Sequence, residues 1–123
     1  MKMLLTLLII LFSSQLSAKK ILLDCVNNST YFPNKKEWDH STNGEQVKAT
    51  INSSKKNIKY GSMIFNTDFI QDSDFTVAKT DVMNDMWWHI GIENNGKGAQ
   101  TWFLNETVLM VTTFECKASK SLW

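Results

Sequence analysis

The sequence predicts an all-β protein: a single antiparallel meander of about seven strands, curled into a partly closed barrel. Three observations lead there. Beyond residue 18 no stretch keeps a helical apolar period for three turns, whereas short alternating segments recur. The links between them are mostly short and rich in Asn, Ser, Asp and Gly, so sequence neighbours pair as hairpins. Cys25 and Cys116 lie near opposite ends of this region, placed to join the first strand to the last.

Residues 1–18, "MKMLLTLLIILFSSQLSA", read as a cleaved export signal. Lys2 supplies the positive start, Leu4 to Phe12 the apolar run, and Ala18 a small residue before the cut. A spanning helix needs about 20 apolar residues, and this run is far shorter. The domain is then 19–123, with no later segment apolar enough to span a bilayer. Export implies a periplasmic or extracellular destination, where Cys25 and Cys116 pair.

The expected strands, in order, are "ILLDCV" (21–26), "QVKATIN" (46–52), "NIKYGSMIF" (57–65), "FTVAK" (75–79), "MWWHIGI" (86–92), "AQTWFL" (99–104) and "VLMVTTFECK" (108–117). Each alternates or runs apolar between turn residues. "SSKK" (53–56), "NTDFIQDSD" (66–74), "ENNGKG" (93–98) and "NET" (105–107) link them. The segment 27–45 is a longer connection, marked by the only proline, Pro33, with Asn34 and Glu37 spaced to cap one helical turn.

The pieces "LLDCV", "ATINSSKKNIKY", "IGIENNGKG" and "TFECKAS" together resemble small exported β proteins of AT-rich Gram-negative bacteria. Those carry an early strand with Cys, a Lys-turn hairpin and a last strand ending Phe-x-Gly-Cys-Lys. This chain departs with Glu115 where Gly is usual and Glu93-Asn94 where a basic residue is usual. The resemblance implies fold and destination and carries no activity.

Charge argues against nucleic acid as a partner. The chain has no Arg, and residues 19–123 balance 12 Lys against 12 Asp and Glu. The charge is uneven: residues 19–59 hold eight Lys and four acids, and residues 60–93 hold one Lys and six acids.

The Trp-rich hairpin is where a site is expected. With Asn95-Gly96 as a two-residue turn, Trp88 faces Phe103, His89 faces Trp102 and Trp87 faces Leu104. Neighbours on a strand point to opposite faces. Trp88 then lies on the core side with Ile90, Ile92, Val108, Met110, Phe114 and both cysteines. Trp87, His89 and Trp102 lie together on the other side. That aromatic face is either a binding platform or is covered by 27–45, with Tyr31, Phe32 and Trp38 as the plug. A three-residue turn would instead slip one strand and pair Trp88 with Trp102.

No Gly-rich phosphate loop, nucleophile elbow or Cys-x-x-Cys motif appears, and no cofactor is implied. His40 and His89 lack metal-ligand spacing, and "DSD" (72–74) lacks the rest of a calcium loop. The expectation is a non-enzymatic binding module for a small apolar or sugar-like ligand at Trp87, His89 and Trp102. The alternative is an inhibitor or interaction module facing another envelope protein. Periplasmic lysozyme inhibitors are similar in size and disulfide, but their Ser-Gly-x-x-Tyr loop is not found here. A hydrolase is the third reading.

Overall fold

A computed structural model describes residues 20–118. The expected leader, 1–18, lies outside the described residues. Ten strands form one antiparallel sheet: β1 (Lys20–Phe32), β2 (Glu37–Asp39), β3 (Gln46–Asn52), β4 (Asn57–Tyr60), β5 (Met63–Phe65), β6 (Thr67–Gln71), β7 (Phe75–Met83), β8 (Met86–Glu93), β9 (Lys97–Leu104) and β10 (Thr107–Ala118). Their spatial order is β5-β4-β3-β1-β10-β9-β8-β7-β6, with β2 on the far half of β1. The first and last strands are neighbours, so the meander curls into a barrel with one seam, between β5 and β7. There the Thr80 hydroxyl donates to Ile64 O at 2.7 Å and accepts from Asn66 N at 3.3 Å.

The expected antiparallel barrel is present, with ten strands in place of seven. The stretch 57–65 is two strands, because Gly61 and Ser62 turn the chain and Tyr60 pairs with Met63. The stretch 66–74 holds β6, paired to β7 beyond a bulge at Asp68. The connection 27–45 is neither a lid nor a helical turn. Its first residues extend β1, and β2 folds back on them with Tyr31 opposite Trp38.

The interior is filled. Leu23, Ile51, Ile58, Tyr60, Phe65, Ile90, Ile92 and Phe114 are all buried, contributed by strands from around the barrel. At about 25 cal/mol per Å2 of apolar surface removed from water, these side chains dominate the stability. A buried polar cluster sits among them. Thr30 bonds Thr112 at 2.6 Å and Thr42 at 3.1 Å, and the Tyr60 hydroxyl donates to Asn27. Burial, reinforced by the Glu45 carboxylate, pushes Tyr60 well above the usual phenol range, so it stays a donor.

Cys25 and Cys116 form the expected disulfide. They are direct partners across β1 and β10, 91 residues apart in sequence, with Cα atoms at 3.9 Å. Both are buried, on the core side assigned from alternation.

Candidate functional site

The site starts from the loop after β8. Gly96 N donates to Glu93 O at 2.9 Å, and Gly96 has φ of 94°. This is a three-residue loop, a tight turn closed by a left-handed residue, as such hairpins commonly are. Asn95 Oδ1 accepts from Lys97 N at 2.9 Å and fixes it. Asn95-Gly96 therefore does not form the two-residue turn expected from sequence. The strand slips by one residue, and Trp88 pairs with Trp102 while Trp87 pairs with Phe103.

That slip divides the expected ligand residues. Trp102 turns to the core side, where its ring lies 4.1 Å from that of Trp88. Trp88 also approaches Phe65 from β5, at 6.5 Å. Trp87 and His89 remain together on the outer face, their ring centres 6.4 Å apart. Trp102 is separated from them by the sheet itself, and Phe103 takes its place. The next hairpin keeps its expected turn, Asn105-Glu106, so that Phe103 pairs with Val108. A bulge at Leu109 then pairs Met110 with Trp102 and Val111 with Thr101, in place of Met110 with Thr101. The bulge restores Met110, Phe114 and Cys116 to the inside and leaves Val108 beside Phe103 outside.

Outside, Phe103 stacks on Trp87 at 3.8 Å with the rings 6° from parallel. Lys79 Nζ sits over the same indole, 4.8 Å from its centre. A ring stacked that closely excludes an ammonium from the same side, so Phe103 and Lys79 cover opposite faces of Trp87. Lys79 is drawn there by the quadrupole of the ring and by Asp81 at 3.5 Å and Asp68 at 4.0 Å. His89 is the cross-strand partner of Lys79, and burial lowers its pKa.

The edge of Trp87 opens into a groove of about 840 Å3 between two hairpin tips. Asn84 and Asp85 contribute from the β7–β8 tip, and Asn105 and Glu106 from the β9–β10 tip. Asn105 N donates to Asp85 O at 2.5 Å, tying the tips together. Asp85 (φ 67°) and Asn105 (φ 56°) are left-handed, a conformation Asp and Asn tolerate better than most side chains. The sequence marked Asn105 as a turn residue but not Asp85, and it gave no sign that the two turns meet. Their meeting follows from β8 and β9 being adjacent, with Met86 opposite Leu104.

The segment 27–45 does not cover this face. Tyr31 and Trp38 pack against each other with ring centres 4.9 Å apart and planes tilted by 46°, and Trp38 is 60% exposed. β10 and β9 lie between β1 and β8, so Tyr31 is about 14 Å from Trp87 at the usual strand spacing.

His40 Nδ1 bonds Ser29 Oγ at 2.6 Å. The carboxylate of Asp39 accepts from Ser41 N at 2.9 Å, which lowers its pKa. In the "DSD" loop, Asp72 Oδ1 accepts from Asp74 N and Phe75 N at 2.8 and 3.1 Å, shaping the turn into β7. Among the described residues no three His, Cys, Asp or Glu side chains converge as metal ligands, and no helix is long and apolar enough to cross a membrane.

Comparison with protein-family models, with curated proteins and with solved structures finds no match.

Proposed function

We propose that this protein is a non-enzymatic binding module that holds a sugar-like ligand in the groove between the two hairpin tips, against the edge of Trp87. The supporting observation is the composition of that groove. An indole edge, backed by Phe103, lies beside the amides of Asn84 and Asn105 and the carboxylates of Asp85 and Glu106. A sugar ring presents an apolar C–H surface and a rim of hydroxyls. With both faces of the indole covered, its apolar edge gives van der Waals contact to the first, and amides and carboxylates suit the second. The packed interior favours a sugar over an acyl chain, because large side chains occupy the space an acyl chain would need. His89, on the same face, borders the site through Trp87. Trp102 acts from behind, as packing for Trp88. The proposed destination is the periplasm or the exterior, supported by the character of residues 1–18 and by the disulfide.

Titration with soluble neutral oligosaccharides, followed by two-dimensional amide NMR, tests the reading. Shifts concentrated at residues 84–87 and 105–107, lost in Trp87→Ala and reduced in Asn105→Ala, are expected. Shifts spread evenly or absent would refute it. A second reading, docking to an envelope protein, draws support from Met83 and Leu104, exposed at the same tips. A hydrolase would shorten the oligosaccharide during the titration. The exposed positions of Asp85 and Glu106 lack the enclosure that general-acid catalysis by a carboxyl group uses.

A further inference from the structure

The uneven charge along the sequence becomes an uneven charge around the barrel. The first half of β1, together with β3, β4 and the turn joining them, carries Lys20, Lys48, Lys55, Lys56 and Lys59 against one carboxylate, Asp24. Asp24 is already held by Lys48. The other four lysines are exposed, with no ion pair among the described residues. Across the seam from β5, the wall formed by β6 to β8 and their turns is acidic and holds only Lys79.

The basic wall is also greasy where an outer face should be polar. Leu22, Thr50, Lys59 and Ile64 form one cross-strand row on the outside of β1, β3, β4 and β5. Leu22 is 62% and Ile64 50% exposed. The next row along β1 is Lys117, Asp24 and Lys48, and the one after it is Glu115, Val26 and Gln46, with Val26 also exposed. Lysines thus alternate with unsatisfied aliphatic side chains across one gently curved surface.

The geometry points to this wall as a docking surface for an anionic lipid bilayer. Four unpaired ammonium groups match a layer of negative headgroups. Leu22, Ile64 and Val26 match the apolar boundary just beneath it. A soluble polyanion would engage the lysines and gain nothing from the aliphatic residues, and that difference selects the bilayer. Within the wall, β1, β3 and β4 lie around the barrel from the Trp87 groove, while Ile64 sits at the seam beside β7, and the inference does not depend on what the groove holds.

Vesicle flotation with the full chain tests it, using phosphatidylcholine alone and phosphatidylcholine mixed with phosphatidylglycerol. Wild type and variants share residues 1–19, so any leader contribution cancels between them. Each lysine near an anionic surface contributes about fivefold in affinity. Lys55→Gln/Lys56→Gln/Lys59→Gln therefore should weaken binding to the anionic vesicles about a hundredfold, with an unchanged thermal midpoint. Leu22→Ser/Ile64→Ser should weaken vesicle binding at least threefold while leaving retention on soluble polyphosphate unchanged. Equal vesicle binding by wild type and the triple variant would overturn the inference. So would an aliphatic pair without effect, which would make a soluble polyanion the partner. Loss of vesicle binding in favour of salt-sensitive oligomers would make the acidic wall of a second copy the occupant.

Discussion

Replacing Gly98 by alanine tests the packing between the faces of the barrel most directly. Gly98 lies on β9 opposite Ile92 of β8 and Phe114 of β10. A Cβ there would stand 2.5 Å from Gly91 O and 2.5 Å from two carbons of the Phe114 ring, where ordinary contact begins at 3.4 Å. Something must move by about 1 Å. Gly91 O belongs to the backbone of β8. Phe114 is 1% exposed, and its ring already rests against Tyr60 at 4.6 Å. Neither has room, so Gly98→Ala should cost about 3 kcal/mol, the top of the usual range for overpacking. Urea denaturation measures this through the shift in midpoint at constant slope. Phe114→Leu alone should cost about 1–2 kcal/mol by leaving a void. Combined, the two should cost at least ~1 kcal/mol less than their sum, because the smaller side chain frees space for the new methyl. The rescue stays partial, since Gly91 O remains in place. A Gly98→Ala protein within about 0.5 kcal/mol of wild type, or strict additivity in the double variant, would refute the proposed close approach.

Three further outcomes follow from other parts of the barrel. Cys25→Ala/Cys116→Ala should lose about 4–5 kcal/mol, the chain-entropy value for so long a loop, read as a lower urea midpoint; an unchanged midpoint would show that β1–β10 pairing needs no covalent help. Trp88→Ala should cost about 3 kcal/mol, whereas Trp87→Ala should cost about 1–2 kcal/mol, from its ring stack and cation contact; equal losses in denaturant melts would contradict the separation of inner and outer rings. Burial lowers the pKa of His89, so the unfolded chain takes up this proton at higher pH than the folded one. Its contribution to stability is then complete above the unfolded value of about 6.5 and falls as pH drops through the folded pKa. His89→Gln should flatten stability against pH in that window, and an unchanged slope would assign the effect elsewhere.

The large-scale architecture was legible because it rests on alternation. Leu23, Cys25, Ile90, Ile92, Phe114 and Cys116 recur at every second position and are buried as that period requires. What alternation cannot show is where the count breaks. Asn94-Asn95-Gly96 can form a two- or a three-residue loop with the same residues, and the choice alone moved Trp102 from the candidate face to the core. The bulge at Leu109 carries no composition signal. The division at Gly61 did leave a trace. In one continuous strand Ile64 would share the face of Ile58 and Tyr60, yet Ile64 is outside, and Met63 and Phe65 are packed in. The inversion of phase beside a glycine marks a turn. β2 and β6 were missed because each is short and depends on its partner strand, with little pattern of its own.

The pairing of β1 with β10 also governs the order in which the molecule can be made. β1 acquires β3 early, within about thirty residues of synthesis, and each later hairpin forms from neighbouring sequence. Its other edge must wait for the last strand to be synthesised. Until then Cys25 has no intramolecular partner, and one side of β1 presents unpaired backbone groups to any passing chain. Closure is therefore a late, long-range event that follows fast local ones, as contact order would have it. A chain halted before Thr107, the start of β10, would keep most of its hairpins and lack the contact that turns them into a barrel. The arrival of β10, more than any local step, is the moment at which this domain can become a single cooperative unit.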